Sequence, residues 1–452
     1  MDFTGKRVYI ETYGCQQNEA DSETIAGITR SMGFVAAESV EDADLIIVNT
    51  CAVREHAELK ALSNTGRLKH LKEINPGLKI GVCGCMVQQE RRREDLKMRY
   101  PYVDFVFGTN MFEKVEDIIR EVYKGRKRIL ETESYDDNPG TLCQGLPVSR
   151  KYDYKAYLPI MSGCNNFCTY CVVPYVRGRE RSKSPESVIG EFRDLANGGC
   201  REITLLGQNV NSYGKDLGMT EAFAQLIRDL DSVPGDFWIR FMTSHPKDAS
   251  DQLIEALAES KKCARHFHLP LQSGSNEILK RMNRRYGIEK YLGLLDKLRD
   301  AIPGISVTSD IIVGFPGETE EDFRNTLEAM KTARFDNVFS FVYSPRPNTP
   351  AAVMPDQIPD PVKKERMQRL LELQQQICLE INSDYVGRSV KALCEGPSKT
   401  DERTLSARSS TGKLIHFTPS DDGIDLTGRF VKLKITKAMP IMLFAEYEET
   451  LP

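Results

Sequence analysis

Short apolar segments alternate with segments of helical length through most of the chain, and this alternation restricts the fold more than any other feature. Strands separated by helices favour parallel sheets that are covered by helices on both faces. We therefore predict an α/β multidomain protein whose N-terminal part is a doubly wound parallel sheet. Its four expected strands are Arg7–Gly14, Leu45–Thr50, Lys79–Gly84 and Phe105–Gly108.

The same alternation returns after a polar, turn-rich linker at residues 131–150. Six strand and helix units could form a partial or a full barrel, and the pattern alone does not decide between a barrel and an open sheet. The six expected strands are Tyr157–Met161, Glu202–Leu206, Trp238–Thr243, His266–Leu271, Ser306–Val313 and Val338–Tyr343.

The pattern changes near the C-terminus. A proline-rich stretch at residues 345–361 is followed by one helix, and from Asp384 onward five short alternating segments are separated by glycine turns. That composition favours a small antiparallel β-barrel. We place the domains at residues 1–147, 148–380 and 381–452, and the second of them includes the linker helix.

Composition excludes several classes of protein. The 61 Lys and Arg residues against 65 Asp and Glu residues give a net charge of −4, so any nucleic-acid surface must be a local patch. No apolar run approaches the ~18–20 residues that span a bilayer, and the N-terminus lacks the apolar core of a signal peptide. We expect a cytoplasmic protein without a membrane partner, in which the 12 cysteines are not disulfides.

Three of the cysteines are closely spaced. Cys164, Cys168 and Cys171 have the spacing Cys-x3-Cys-x2-Cys, directly after the first strand of the second domain. Three thiolates in one loop suit an iron–sulfur cluster that keeps one iron open for a ligand. The alternative is a structural zinc site, but zinc normally takes four protein ligands and no fourth is evident nearby.

Three other cysteines follow strands of the first domain. Cys15, Cys51 and Cys85 come just after the expected strands, and the carboxyl ends of parallel strands share one edge of a sheet. They could therefore converge, although small buried hydrophobes are the commonest role of free cysteines. Cys83 competes with Cys85, because residues two apart in a strand point to the same side.

The cysteine segments and several other segments of the chain resemble the sequence motifs of a known family. The Cys164–Cys171 loop with Tyr170 resembles the signature of radical S-adenosylmethionine (SAM) enzymes. Further segments resemble motifs of the tRNA methylthiotransferases of the MiaB type, and the C-terminal strands resemble the RNA-binding TRAM barrel. The matching segments are YGCQQN, NTCAVRE, GCMVQ, LLGQNVNSYG, TSHPKD, HLPLQSGSNEILKRMNR and DIIVGFPGETEEDF. The one departure is Gln17, where the family usually has Met.

The resemblance implies two 4Fe–4S clusters and SAM as cofactors. It assigns the auxiliary cluster of the N-terminal domain to Cys15, Cys51 and Cys85, and it selects Cys85 over Cys83. The cluster in the Cys164 loop would bind SAM in a radical SAM (β/α)6 partial barrel. The implied reaction is a radical methylthiolation at C2 of N6-isopentenyladenosine, beside the anticodon of tRNA at position 37. In the implied reaction the cofactors carry out the radical and group-transfer steps, so no His or carboxylate is named as a general base.

Candidate residues for contacts with SAM and with RNA can also be named from the sequence. Tyr170, Gln208, Gln272 and Ile312 are the candidates for SAM contacts; barrel packing or a loop turn is the alternative for each. Arg177 and Arg179 follow the cluster loop and are the candidates for RNA contacts. Single basic runs are usually solvated surface, and these two arginines could instead pair with Glu180 or Glu186 in a structural latch. We expect a monomer that uses the anticodon stem-loop of tRNA, a separate electron donor and a sulfur source.

Two relatives of this reaction remain as alternatives. One is methylthiolation of threonylcarbamoyladenosine in tRNA, and the other is methylthiolation of an aspartate in a ribosomal protein. The loop NNFCTYC and the segments LGQNVNSYG and TSHPKD favour the isopentenyladenosine enzyme over the first. The segment YGCQQN and the final barrel, in which basic and acidic residues are equally numerous, favour it over the second.

Overall fold

The computed structural model describes residues 2–52, 55–126, 128–133, 135, 142–399, 401, 403–419 and 424–452. Part of the predicted linker, residues 134 and 136–141, lies outside the described residues. In the part of the chain that is described, no helix is both long and apolar enough to cross a membrane.

The N-terminal sheet is parallel throughout, as predicted. Its strands are arranged in the order β2-β1-β3-β4-β5-β6. The elements are β1 (Arg7–Thr12), α1 (Gln16–Ser31), β2 (Val35–Ala36), β3 (Leu45–Thr50), α2 (Glu55–Ile74), β4 (Lys79–Gly84), α3 (Glu90–Arg99), β5 (Phe105–Phe107), α4 (Val115–Tyr123) and β6 (Ile129–Glu131).

Helices cover both faces of this sheet. Alternate residues of β3 point in opposite directions: Leu45 and Ile47 pack with residues of α1 and α4, whereas Ile46 and Val48 pack with α2 and α3. All six residues of β3 are buried, which explains its continuous apolar sequence. The sequence did not reveal β2 and β6, because two or three residues are too few to show a period.

The second domain is an arc of six parallel strands. Two three-stranded segments, β11-β10-β7 and β12-β13-β14, meet where Ile239 forms a bridge with Cys263. In the described residues the outer strands β7 and β14 do not pair with each other, so the arc is an open partial barrel. Its elements are β7 (Lys155–Pro159), β8 (Met161–Ser162), α5 (Val173–Arg177), β9 (Arg181–Ser182), α6 (Pro185–Asn197), β10 (Glu202–Leu206), α7 (Ala222–Asp231), β11 (Trp238–Phe241), α8 (Asp251–Glu259), β12 (His266–His268), α9 (Asn276–Arg281), α10 (Ile288–Ala301), β13 (Ser306–Val313), α11 (Glu320–Ala333) and β14 (Asn337–Val342).

A long helix leads to the C-terminal barrel. The five strands form a closed barrel in the order β15-β16-β17-β19-β18, as the alternating pattern predicts. The pairs are antiparallel as expected except β17 with β19, which is parallel. The helix is α12 (Asp360–Ser383), and the strands are β15 (Ser389–Pro397), β16 (Leu405–Ser409), β17 (Leu414–Thr418), β18 (Phe430–Ala438) and β19 (Leu443–Thr450). The exact domain boundaries stay predictions.

The barrel docks on the first residues of the central strands. Trp238, at the start of β11, packs edge-on against Phe430 of β18 with ring centroids 4.8 Å apart. The buried Arg240 pairs with Glu202 and donates to the carbonyl oxygen of Ser409 at 2.7 Å. This interface is therefore an apolar contact surrounded by buried polar ones, at the amino ends of the strands.

Replacing Trp238 with Ala is expected to loosen the barrel. Loss of a buried Trp costs about 3–5 kcal/mol, and here much of the lost contact is with the barrel. Limited proteolysis of W238A should release the C-terminal fragment faster than from the wild type. The matched control is I441A, which removes an exposed apolar side chain of the barrel. Equal release from both variants would contradict this role.

Candidate metal centres

The N-terminal cysteines converge at the carboxyl edge of the first sheet. Cys15 immediately precedes α1, Cys51 follows β3, and Cys85 opens the short 3-10 turn after β4. A Cβ on Gly14 would lie 2.5 Å from the Cβ of Cys51, so these two segments are in close contact. Gly84 has a φ of 98°, and a Cβ there would lie 2.2 Å from the carbonyl oxygen of Thr50. Only glycine fits at either position.

Charges within this group are coupled. A hydrogen bond from Cys51 is the main cause that lowers the pKa of Cys15 to about 6, and the charge of Arg177 adds to it. Burial raises the pKa of Cys85 to about 11, although Arg177 opposes this shift. Because Cys51 acts on Cys15 and Cys15 acts in turn on Cys85, the three sulfurs share one local electrostatic environment.

Cys83 and Cys85 face different surroundings. Cys83 lies within β4 and packs in the core between the sheet, α1 and α4. The strand ends at Gly84, which turns the chain, and Cys85 packs against Ala52, Val172 and Val176. The alternation expected for a continuous strand therefore does not extend to Cys85. Its sulfur lies at the contact between the first two domains.

The second trio lies in the loop after β8. Cys164 and Cys168 are buried and Cys171 is partly buried. Burial is the main cause that raises the pKa of Cys164 to about 11 and of Cys171 to about 12, and nearby Cys168 adds to both shifts. Arg284 is buried as well, and its Nη1 donates to the sulfur of Cys168 at 3.3 Å.

Two sets of backbone contacts hold this loop. Asn283 donates its side-chain amide to the carbonyl oxygens of Asn166 and Phe167, at 3.3 and 3.0 Å. On the other side, Gly163 has a φ of 84°, and a Cβ there would lie 2.0 Å from the carbonyl oxygen of Arg179. The loop shape thus depends on a glycine and on a side chain that lies far away in sequence.

Each trio suits an iron–sulfur cluster by the chemistry of its donors. Three thiols are soft ligands of the kind that iron–sulfur clusters require, and three leave one iron open. Across the described ranges, no group of three or more His, Cys, Asp or Glu side chains has the close geometry of a single-ion site. A four-iron cluster spaces its cysteine sulfurs more widely than one ion does, so the two observations agree.

The four candidates for SAM contacts surround the second trio. Tyr170 packs against an apolar group that contains Ile312 and Phe315. The amide N–H of Ile312 donates to the carbonyl oxygen of Gln272 at 3.0 Å. Gln208 accepts a hydrogen bond from the N–H of Gly163 at 2.6 Å, which connects the end of β10 to the cluster loop. All four residues lie at the carboxyl edge of the arc, and their contacts with SAM stay predictions.

The two candidates for RNA contacts differ in their exposure to solvent. Arg177 is buried, and its guanidinium donates to Asp21 and to the sulfur of Cys85. It is therefore turned away from solvent in this structure, and the alternative of a structural pairing describes it better, with Asp21 in place of the expected Glu180 or Glu186. Arg179 is exposed and lies over the ring of Phe167, 4.3 Å from its centroid. Arg179 remains a candidate.

Sequence reasoning missed several residues of these sites. Arg284 belonged to a basic run that is typical of solvated surface, and nothing in its spacing indicated burial beside Cys168. Asp21 lies on α1 among other polar residues, and only the three-dimensional contact with Arg177 distinguishes it. His245 is buried with its pKa lowered to about 2, mainly by burial and then by the charge of Arg284, so it is neutral.

Two family profiles match parts of the chain. The profile of the Radical SAM superfamily matches residues 158–330, and that of uncharacterized protein family UPF0004 matches residues 7–108. Among solved structures, the radical S-adenosylmethionine methyltransferase TsrM from Kitasatospora setae is similar, with a TM-score of 0.57. The sequences are 14% identical, and the match covers 78% of this chain and 77% of TsrM. That likeness shows the fold.

Curated relatives are much more similar in sequence. The tRNA-2-methylthio-N(6)-dimethylallyladenosine synthase of Carboxydothermus hydrogenoformans is 51% identical, over 96% of this chain and 97% of the relative. The synthase of the same name from Alkaliphilus oremlandii is 50% identical, over 98% and 92%. The chain belongs to the family of tRNA-2-methylthio-N(6)-dimethylallyladenosine synthases.

Replacing Cys85 with Ala should remove one cluster, whereas replacing Cys83 with Ala should keep both. Cys83 packs in the core behind the sheet, while Cys85 lies with the other cysteine-bearing segments. Iron and sulfide content of the reconstituted proteins measures the difference, and C85A should hold about half the iron of the wild type. Equal iron in the two variants would show that the choice between them is wrong.

Proposed function

We propose that the protein is a radical SAM methylthiotransferase that converts N6-isopentenyladenosine in tRNA to its 2-methylthio derivative. The base is the one next to the anticodon, at position 37. The observation that carries this proposal is the pairing of two cysteine trios across one domain contact. Cys85 of the first trio packs against Val172, which directly follows Cys171 of the second, and against Val176, one turn further along.

The cofactors are SAM and 4Fe–4S clusters, and we assign one cluster to each trio. When bound, they supply one-electron cleavage of SAM, a sulfur source and a methyl donor, none of which amino acid side chains provide. C2 of an adenine carries no acidic proton, so general-base catalysis would have nothing to act on. This fits the buried His245, whose lowered pKa makes it a weak proton acceptor and which has no proton-transfer role in the proposal.

The chain contributes positioning and exclusion of water. Gln208 and Asn283 hold the loop of the second trio from two directions. Tyr170 and Ile312 supply an apolar wall beside this loop, on which an adenine could pack. Arg284 places a positive charge on the sulfur of Cys168, which balances negative charge in a buried site.

The substrate has to reach this edge from solvent. An unpaired base in an anticodon loop can be turned out and enter a pocket, which suits a buried reaction centre. The C-terminal barrel carries equal numbers of basic and acidic residues, so we infer that it contacts RNA by shape and by a local face. A reductant and a sulfur source are separate partners, and we infer that the enzyme acts as a monomer in the cytoplasm, where tRNA matures.

Nucleoside mass spectrometry tests the substrate. We expect tRNA from a deletion strain to contain N6-isopentenyladenosine without the 2-methylthio group, and the cloned chain to restore it. If the missing group were instead on threonylcarbamoyladenosine, or on a ribosomal protein with tRNA unchanged, the proposal would be wrong.

The two trios should have separable effects. Replacing Cys164, Cys168 and Cys171 with Ala should leave about half the iron and abolish SAM cleavage. Replacing Cys15, Cys51 and Cys85 should also leave about half, but reductive SAM cleavage should persist without methylthiolation. Iron analysis and detection of 5′-deoxyadenosine distinguish the two. Loss of all iron in either variant would contradict two independent sites.

Arg179 should contribute to tRNA binding without affecting the chemistry. One guanidinium on a phosphate adds about one unit to the log–log salt dependence of binding, so R179A should flatten that slope by roughly one. The matched control is R193A, an exposed arginine on α6. Binding at three salt concentrations, with iron content measured in parallel, checks this. An unchanged slope with intact clusters would remove Arg179 from the RNA contacts.

A further inference from the structure

Three buried side chains form a continuous hydrogen-bonded chain that ends on the sulfur of Cys85. Gln17 Nε2 donates to Asp21 Oδ1 at 3.1 Å. Arg177 Nη2 donates to Asp21 Oδ2 at 2.6 Å, and Arg177 Nε donates to Cys85 Sγ at 3.1 Å. All four residues are buried. We call Gln17, Asp21 and Arg177 the relay.

The relay joins two domains. Gln17 and Asp21 lie one turn apart on α1, which packs on the N-terminal sheet. Arg177 is the last residue of α5, six positions after Cys171. The end of α5 is held in place because Thr109 Oγ1 donates to the carbonyl oxygen of Val176 at 3.1 Å. A residue next to one trio therefore contacts a cysteine of the other.

The geometry of the relay is suited to holding a charge in one position. A guanidinium is planar and stays charged at every relevant pH, so its fork fixes the two bonds relative to each other. A buried arginine needs a partner for its charge, and Asp21 is that partner. Gln17 in turn satisfies the second oxygen of Asp21. Gln17 stands where the motif that the chain resembles usually has Met.

The second trio offers a comparison within the same protein. Arg284 also donates to a cysteine sulfur, Cys168, but its other partners are neutral: the hydroxyls of Tyr170 and Tyr286 and the carbonyl oxygen of Pro270. Among the described residues, no carboxylate forms an ion pair with Arg284. The positive charge at Cys85 is thus partly neutralised by a carboxylate, whereas the charge at Cys168 is not.

We propose that the relay is a positioning device that sets the reduction potential of the auxiliary cluster through Cys85. This rests on the proposed function, in which Cys85 is a ligand of that cluster. A cationic donor on a ligand sulfur stabilises the form with one more electron, so Arg177 raises the potential and Asp21 moderates it. The two residues therefore act in opposite directions, which a purely structural ion pair would not do.

The test is a potentiometric titration of the reconstituted full-length protein, with dithionite as the electron donor and EPR spectra as the readout. The two triple-cysteine variants first assign each reduction wave to its trio. If the variant without Cys15, Cys51 and Cys85 kept both waves, the proposed cluster assignment itself would be wrong. That result is distinct from any effect of the relay.

The relay variants then give opposite shifts. In R177K the planar fork that directs one N–H to Cys85 and another to Asp21 is lost, and the double variant D21N/R177Q removes both charges without leaving one unpaired. Both should lower the auxiliary potential, and in the double variant the equilibrium constant for one-electron reduction should fall about tenfold, or about 59 mV. D21N should raise it. Q17M should lower it by less than R177K does.

The matched control is R193K, an exposed arginine on α6. It should leave both waves unchanged, and none of the relay variants should move the wave of the second trio. Unchanged auxiliary potentials in R177K and D21N with full iron content would overturn the proposal. Loss of auxiliary iron in all relay variants would also overturn it, in favour of a purely structural role.

Discussion

The contact of α1 with the central domain is the constraint on which the two-site arrangement depends. Gly27 on α1 lies so close to the backbone of Pro147 that a Cβ there would be 2.1 Å from its carbonyl oxygen. Glu23, one turn earlier, accepts hydrogen bonds from Arg150 and from the N–H of Lys151. Because Cys15 precedes the same helix and Arg177 binds Asp21 within it, the helix fixes both trios relative to each other. Each sheet alone would hold only half of the site.

Much of the fold could be predicted from the sequence, because buried parallel strands appear there as continuous apolar runs. Leu45–Thr50, Glu202–Leu206 and Ser306–Val313 have the bounds that their apolar runs predict. Very short strands that form by pairing with a neighbouring strand do not show such a run. The strands Val35–Ala36 and Ile129–Glu131 form by hydrogen bonding to an adjacent strand edge, and they are too short to show a period in the sequence.

The residues of the candidate sites likewise divide into those that the sequence could identify and those that it could not. Spacing identified the Cys164 loop, since a short loop keeps residues that are close in sequence close in space. It could not identify Arg284, which reaches Cys168 from 116 positions away. Arg177 was predicted as an RNA contact for a related reason. A basic run near a reaction centre is compatible both with an RNA contact and with a buried ion pair. Only the position of Asp21, 156 residues earlier, distinguishes them.

On the proposal that the barrel contacts tRNA, its placement sets a minimum length for the substrate. The barrel contacts the amino ends of the central strands, through Trp238 and Arg240, whereas both trios lie at carboxyl ends. A strand of five residues spans about 17 Å, so a substrate that touches both must extend at least that far along the domain. A free nucleoside is too short, but a stem-loop is long enough. The separation of barrel and trios thus favours recognition of an RNA helix over recognition of the modified base alone.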